Sequence, residues 1–525
     1  MKLQETLMIA LCASVALPMA GNAADYFWNN AEGGGWNALA NWKLGSNGTG
    51  GDAETLPGET DTVYFCTGTY TITLSENVRV YKIKQENVDR SSVCNVRFDL
   101  NGYELVSVDS PLVNGDVTHG EATMTFTNGC VCAESGFVVG QQSTASWRGN
   151  LFLDGVNCSL TNNLTPQGAS PKVTIRHGAK LSCNDLSGTI RKRTNSVVIE
   201  GAGVVVDLRG KLQFTGPHNV RIADGAFIKT VGSFGISGYE QDFSNEPTGQ
   251  RGGHVVIDNA TVTNTGLKAN INLGASVGDG TLRNCALVLT NNAKCVSFGY
   301  GFVGGNQNGT AFSDGNRIEV VDGSLLDFNG LEFGTSRTCD GLTIARAAGS
   351  ANNVLYVKDG TVKSRFLRVG NNGVSSAGTC ATNNVVHFSG THPLVWTIAQ
   401  HNDGYSMEMR SGSVLRFDVG EDGYANVPLK VDGTLKVSRP SDATHVEFNV
   451  LSNKILIAAS DFDRAQPETR LVLIETKNDS TAALQELVEN STILSDNPGT
   501  LSVENSGKRL VYTSPRRSGL MILVR

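Results

Sequence analysis

The feature that most constrains this chain is a short pattern repeated along most of its length. In it, two runs of alternating apolar residues flank a tight polar turn, as in NVLYVKDGTVKSRFLRVG (353–370) and NRIEVVDGSLLDFNGLEFG (316–334). Alternation with a period of two, broken by Gly, Asn or Asp, predicts a strand, a turn and a strand. The chain is therefore predicted to be all-β and to consist of many short strands.

The turn glycine of each repeat, or the asparagine that replaces it, aligns the repeats with one another. These positions are Gly102, Gly129, Gly155, Gly178, Gly201, Gly225, Asn259, Asn284, Gly323, Gly360, Gly390, Gly412 and Gly433. The shortest spacings are about 20 residues, which is enough for three strands of about 5 residues and their turns. Such a unit is one coil of a β-solenoid, and its apolar face is buried only when coils stack. We therefore expect a single-stranded parallel β-helix of about 13 coils, with a right-handed winding.

Asparagine is frequent just before the first strand of a coil. The positions are Asn95, Asn150, Asn195, Asn219, Asn316, Asn353 and Asn384. Asparagine tolerates positive φ, and its amide can bond to the backbone or to an asparagine in the next coil. A structural ladder at one corner of the solenoid is therefore favoured over a ligand site.

Several coils between Gly225 and Gly390 contain extra residues, and these follow the segments VGSFG, VSFGYG, LEFG and LRVG. Insertions at the same position of each coil project from one side of the stack, which is often the binding face of a repeat protein. The candidate residues of this face are Tyr239, Phe243, Tyr300, Phe302, Asn306 and Asn308.

The N-terminus has the pattern of an export signal. Lys2 precedes the apolar run LMIALCASVAL, and Gly21-Asn22-Ala23 provides the small residues of a cleavage site. Residues 1–23 are thus a predicted signal peptide. No later run of 18 apolar residues occurs, so no membrane-spanning helix is expected in the mature chain. A secreted or cell-surface location follows.

Ten of the eleven cysteines lie outside the predicted signal peptide, which contains Cys12. In an exported protein an even number permits up to five disulfides, but some of these cysteines can equally be small buried hydrophobes. Cys132 and Cys158 lie at equivalent positions of adjacent coils, where a disulfide can form if the geometry suits it. Cys339 and Cys380 lie in neighbouring insertions and are the favoured pair.

Both ends of a solenoid need caps, because unpaired strands there would promote aggregation. Trp28, Trp36 and Trp42 precede the first coil, and the core of an N-terminal cap is favoured for them over a platform for sugars. The predicted organisation is a cap at 24–90, a solenoid at 91–440 and a C-terminal cap at 441–525. The segment TAALQELVEN in the last region is predicted to be a short helix.

The N-terminal pattern of Trp, Gly-x-Trp, Asn-Trp, then Pro and Asp-Thr-Val resembles that of bacterial secreted parallel β-helix proteins of the autotransporter-passenger-like and adhesin-like group. The closing segments RLVLIETKNDS and LSVENSGKRLVYTSPRRSGLMILVR also look like their ends. With the repeats, the resemblance covers nearly all of the mature chain. It implies the architecture and, less specifically, a role in adhesion. The chain departs from the group in having no C-terminal stretch long enough for an outer-membrane barrel.

Catalytic motifs give weak signals in this sequence. Most acidic residues occupy turns, as Asp322 and Asp359 do, and turn formation explains them. If the chain is an enzyme, the candidates are charged residues of two insertions: Arg337, Asp340, Arg346, Glu240, Asp242 and Arg251. His387 alternates with apolar neighbours and is expected to face outward without a catalytic role.

Cofactors and nucleic acids are not indicated by the sequence. Asp and Asn are plentiful enough for calcium, but neither an EF-hand loop nor the calcium-binding nonapeptide repeat occurs. No metal site and no cofactor is therefore predicted. A net charge of −7 without a long basic run argues against nucleic-acid binding.

The sequence thus favours a monomeric, non-catalytic, adhesin-like protein that binds glycans, such as a polysaccharide or a host or cell-surface glycan, or another surface through loops on one face. The alternatives are a carbohydrate-active enzyme, either a polysaccharide lyase or a glycoside hydrolase of the pectate-lyase-like β-helix type, and a structural component of the cell envelope.

Overall fold

The strands form a parallel β-solenoid, which confirms the predicted fold class. The structure is a computed structural model. It describes residues 23–516 apart from 67, 87–92, 117–121, 141–146, 169, 190–194, 238–251, 267–269, 275–281, 305–312, 329–340, 346–348, 372–380, 399–403, 411 and 439–453. Three long sheets of 16 strands are stacked in register. Each coil passes through sheet 1, then sheet 2, then sheet 3.

Sheet 1 contains the first strand of each coil. Its strands are Gly34–Gly35, Gly68–Thr73, Cys94–Asp99, Ala122–Thr127, Trp147–Asp154, Lys172–Arg176, Asn195–Glu200, Asn219–Ala223, His254–Asp258, Ala286–Thr290, Arg317–Val321, Val354–Lys358, Asn384–Ser389, Ser413–Asp418, Lys454–Ala458 and Ser491–Leu494.

Sheet 2 follows sheet 1 after a short turn. Its strands are Val78–Val80, Glu104–Ser107, Cys130–Ala133, Asn157–Leu160, Lys180–Cys183, Val205–Leu208, Phe227–Thr230, Thr261–Asn264, Lys294–Ser297, Leu325–Phe328, Thr361–Ser364, Leu394–Thr397, Leu429–Val431, Arg470–Thr476, Thr500–Glu504 and Arg509–Thr513.

Sheet 3 completes the coil. Its strands are Asp25–Trp28, Trp42–Leu44, Thr62–Phe65, Lys82–Glu86, Leu112–Asp116, Phe137–Val139, Leu164–Pro166, Leu186–Thr189, Leu212–Thr215, Phe234–Ser237, Ile271–Leu273, Gly301–Val303, Leu342–Ile344, Leu367–Val369, Tyr405–Met409 and Thr434–Val437. The remaining elements are the strand pair Leu282–Arg283 and Ser313–Asp314, the 3-10 helix Leu39–Asn41, and the helices Ser460–Ala465 and Thr481–Glu489.

The core is one continuous apolar column inside the coils. Alternate residues of each strand point inward and stack on their equivalents one coil along, as Val357 does on Phe388 and Phe388 on Phe417. The last two rings stack with centroids 4.8 Å apart. Outward residues of the same strands therefore form equally regular rows on the surface.

Most of the glycines and asparagines that align the repeats lie at the turn from sheet 1 to sheet 2. Gly323 has a φ of +75° there, a conformation that glycine adopts without strain. At Gly360 the preceding Asp359 takes the positive φ instead. Asn284, Gly412 and Gly433 lie at other corners, because their coils contain connections of unusual length.

The predicted asparagine ladder is present at three consecutive coils. Asn316 Nδ2 donates to Asn353 Oδ1 (3.0 Å), and Asn353 Nδ2 donates to Asn384 Oδ1 (2.9 Å). All three side chains are fully buried. The ladder connects the coils just before sheet 1, where the chain turns away from sheet 3.

The N-terminal tryptophans pack against one another. Trp28, Trp36 and Trp42 are buried, with the Trp42 ring centroid 5.0 Å from that of Trp28 and 4.8 Å from that of Trp36. They form an aromatic cap over the first coils and expose no face to a sugar in this structure.

The ends combine parallel and antiparallel pairing. The predicted C-terminal helix is confirmed as Thr481–Glu489. Strands of the three sheets already occur at Gly68–Thr73 and still occur at Lys454–Ala458, so parallel stacking continues into the regions 24–90 and 441–525. Among the described helices, none is long and apolar enough to span a membrane.

The cysteines that the structure describes form no disulfide. Cys158 is in register with Val131, whereas Cys132 is in register with Ser159. Cys158 therefore points into the core while Cys132 points outward, and the expected pairing of these two does not form. Cys339 and Cys380 lie outside the described residues.

Cys132 allows a test of its surroundings. Its pKa is raised to about 12 by burial and by the Glu104 carboxylate, whose Oε1 lies 3.0 Å from the thiol. Because the thiolate is the reactive form, we expect slow alkylation of Cys132 in the native protein at pH 8. Glu104→Gln should accelerate it several-fold, as measured by mass spectrometry after iodoacetamide treatment. A rate unaffected by Glu104→Gln would show that burial alone protects the thiol.

Candidate functional site

The long connections lie mainly at one corner of the solenoid. Three of the four predicted insertions, those after VGSFG, VSFGYG and LRVG, lie between a strand of sheet 3 and the next strand of sheet 1. The insertion after LEFG is divided, because the strand Leu342–Ile344 of sheet 3 lies within it. We call the junction from sheet 3 to sheet 1 the loop-bearing corner.

Most of the predicted functional residues lie outside the described residues. These are Tyr239, Phe243, Glu240, Asp242, Arg251, Asn306, Asn308, Arg337, Asp340 and Arg346. Tyr300 and Phe302 are described, and their ring centroids are 4.7 Å apart on sheet 3. Phe302 is only 2% exposed, so its ring offers no surface to a ligand here, whereas Tyr300 is half-buried.

A row of polar and aromatic side chains lies on the outer face of sheet 1, next to the loop-bearing corner. Its members are in register on four successive coils: Glu319, Tyr356, His387 and Arg416. They point outward because their strand neighbours, such as Leu355 and Val357, are fully buried. We call these four residues the sheet 1 row.

Tyr356 is the centre of this row. The guanidinium carbon of Arg317 lies 5.1 Å from the centroid of the Tyr356 ring, and the His387 ring centroid lies 4.8 Å from it. Arg317 also forms an ion pair with Glu319, with Nε 2.6 Å from Oε1. The aromatic ring is therefore held between a cation and an imidazole.

Asp418 fixes the other end of the row. His387 Nε2 donates to Asp418 Oδ2 (2.7 Å), while Arg416 donates through Nε to Oδ1 (2.9 Å) and through Nη2 to Oδ2 (3.2 Å). Burial alone would raise the pKa of Asp418, but these hydrogen bonds outweigh it and hold the pKa below its ordinary value. The carboxylate therefore stays ionised and orients the imidazole.

A second cluster lies across the same corner, on the outer face of sheet 3. The Glu408 carboxylate is 3% exposed; its Oε2 lies 2.8 Å from Arg368 Nε and 2.9 Å from Arg410 Nε. Ser438 Oγ donates to Glu408 Oε1 (2.8 Å). Burial would raise the pKa of Glu408, but Arg410, Ser438 and Arg368 outweigh it and lower the pKa.

Aromatic rings and cations surround the Glu408 cluster. The rings of Phe366 and Tyr405 are buried, with centroids 5.7 Å apart. The Arg368 guanidinium lies 5.2 Å from the Phe366 centroid, and Lys436 Nζ lies 4.7 Å from that of Tyr405. These contacts bind three coils together on sheet 3.

The sequence analysis placed His387 outward correctly but did not identify its partners. The signal was a charged or aromatic residue at an outward position of consecutive coils, as in VLYVK, VVHFS and VLRFD. To recognise this pattern, one must know which residues of neighbouring coils are in register. The sequence does not give that register, because the connections between strands differ in length. Within the described residues, no three His, Cys, Asp or Glu side chains are placed to hold a metal ion.

The sequence matches no protein-family model, and neither a curated protein nor a solved structure matches it.

Proposed function

We propose that this chain is a secreted or cell-surface β-solenoid that binds glycans through the side bearing the long connections, as the resemblance to adhesin-like β-helix proteins suggests. The stack of Arg317, Tyr356 and His387 beside the loop-bearing corner is the observation that supports it best. The predicted N-terminal export signal agrees with this role.

The chemistry of the stack suits a sugar. One face of a pyranose ring carries C–H groups that pack on an aromatic ring, while its hydroxyls bond to neighbouring polar groups. Arg317 and Arg416 provide such donors on either side of Tyr356 and His387. Successive coils repeat at about 4.8 Å, so the sheet 1 row presents a regular series of contacts to a chain of repeating units.

The electrostatics of the row favour binding over proton transfer. A general acid or base works best with a pKa near the operating pH. The pKa of Asp418 is lowered, and its carboxylate already accepts bonds from His387 and Arg416. Glu319 is likewise paired with Arg317. These carboxylates are thus engaged in holding the row in place.

Replacing Tyr356 with alanine tests this function. We expect at least tenfold weaker retention of the mature protein on a neutral polysaccharide that retains the wild type, because the ring that the sugar packs on is lost. The measurement is depletion of protein from solution by a panel of insoluble polysaccharides. For soluble polysaccharides, it is the retardation of the protein in native gels that contain the polymer. Tyr81→Ala, an exposed tyrosine near the N-terminal coils, is the matched control and should bind normally.

The same incubation separates the alternatives. Retention without new oligosaccharides in the supernatant supports binding. Release of oligosaccharides would show that the chain is a carbohydrate-active enzyme and would contradict a non-catalytic function. Neither retention nor release on any polymer would point to a structural role in the cell envelope. Retention that Tyr356→Ala leaves intact would place the binding surface elsewhere on the chain.

A further inference from the structure

Sheet 2 is the sheet that does not adjoin the loop-bearing corner, and its outer face carries a separate group of side chains. Lys363, Trp396 and Lys430 are in register on three successive coils. Their strand neighbours Val362 and Val395 are fully buried, which directs these three side chains outward. We call them the sheet 2 triad.

Trp396 presents a half-buried indole between two lysines. Lys363 Nζ lies 5.8 Å from the indole centroid. Trp396 Nε1 is buried and has no hydrogen-bond acceptor among the described groups, so the ring rather than the N–H is the surface that Trp396 offers. An aromatic surface with adjacent cations is therefore held on a flat, rigid sheet.

The two lysines of the triad differ from other basic residues in the same row. Lys229 lies 4.0 Å from Asp207, and the Glu475 carboxylate, in register with Lys430, is paired with Arg509. Neither Lys363 nor Lys430 forms an ion pair with any carboxylate in the described part of the chain. Asp327 is the in-register neighbour of Lys363 on the preceding coil, but the two form no ion pair. Two lysines without an ion-pair partner among the described residues thus flank the indole, although the whole chain has a net charge of −7.

We propose that the sheet 2 triad is a second binding site, separate from the loop-bearing corner, for an acidic polysaccharide built from uronate units. The apolar face of a sugar ring packs on Trp396, and carboxylates of neighbouring units pair with Lys363 and Lys430. A neutral glycan has no carboxylates to pair with these two lysines. Single-stranded nucleic acid also combines rings with anions, and its binding is one of the outcomes that the test distinguishes.

The test uses the mature protein and oligogalacturonate, with dextran oligomers as the neutral comparison, in isothermal titration calorimetry. Trp396→Ala should weaken oligogalacturonate binding at least tenfold, and Trp396→Phe should recover most of it because a ring remains. The double variant Lys363→Ala/Lys430→Ala should also lose at least tenfold and show a weaker salt dependence. Lys229→Ala, from the same row, is the control and should bind normally.

Binding that is equal for dextran and oligogalacturonate, or unchanged in both the tryptophan and the double-lysine variants, would overturn the assignment. Tighter binding of an oligothymidylate than of oligogalacturonate would show that the triad binds single-stranded nucleic acid and not a uronate polysaccharide. If Trp396→Ala fails to fold, the double-lysine variant still tests the site, because both lysine side chains lie on the outer face of the sheet. Circular dichroism verifies that each variant is folded. Tyr356→Ala should leave this affinity intact, which distinguishes the triad from the sheet 1 row.

Discussion

Replacing Glu408 with glutamine should destabilise the coils around it by about 3 kcal/mol, because it leaves two arginines without their buried counter-charge. In the native protein Arg368 and Arg410 share the nearly inaccessible carboxylate of Glu408. Hydrogen exchange of the strands Leu367–Val369 and Tyr405–Met409 measures the local loss, since stability in a stacked solenoid is distributed along its coils.

The effect of Glu408→Gln should depend on pH in a defined direction. Because the pKa of Glu408 is lowered in the folded protein, its contribution is complete above the unfolded pKa of about 4.3. It disappears as the pH falls from there through the lower folded value. Guanidinium unfolding of wild type and variant should therefore differ most at pH 7 and converge below about pH 4.

Glu421→Gln provides the control for this experiment, because Glu421 is exposed. Its effect should stay within about 0.5 kcal/mol at all pH values. A difference between wild type and Glu408→Gln that is constant from pH 7 to pH 3 would show that the ionised carboxylate is not the source of the stability.

Asn353→Ala should cost roughly 2 to 3 kcal/mol, the second large effect, because it breaks the buried ladder at its middle member. The Asn353 carbonyl oxygen Oδ1 accepts from both the backbone N–H and Nδ2 of Asn316, and alanine leaves these buried donors without it. Hydrogen exchange of Arg317–Val321 and Val354–Lys358 should accelerate, since these strands begin at the ladder.

A side chain larger than asparagine at position 353 should also destabilise the protein, because Asn353 is closely packed. A side chain added at Gly304, whose φ is +74°, would lie 2.8 Å from Asn353 Nδ2, so the ladder is already closely covered. Asn157→Ala, at an exposed asparagine of sheet 2, is the matched control and should change stability by less than about 0.5 kcal/mol. Equal effects of the two substitutions would contradict a specific role for the ladder.

Local patterns were enough to predict the solenoid. Period-two alternation in segments such as VLYVK determines which side chains point inward, and Asp-Gly turns such as Asp359-Gly360 determine where a strand ends. The asparagine ladder was predictable in part: Asn316, Asn353 and Asn384 occupy the same place at the start of a strand and form it. Asn95 and Asn150, predicted for the same ladder, lie inside strands of sheet 1. The C-terminal helix followed from its own residues.

The turn alignment failed where connections were long. Asn284 and Gly412 were placed at the turn between sheets 1 and 2, yet both lie just before a strand of sheet 1. The local pattern around a glycine or asparagine is the same at either corner. The corner that a residue occupies depends on how many residues the preceding connection contains.

The sequence by itself determined that this chain forms strands, turns and a stacked apolar core, because these depend on residues a few positions apart. Only the tertiary structure decided which outward side chains meet. Arg368 and Glu408 are 40 residues apart, and His387 and Asp418 are 31 apart. Such contacts depend on the register between coils, which backbone pairing and core packing set after connections of unequal length have been spanned.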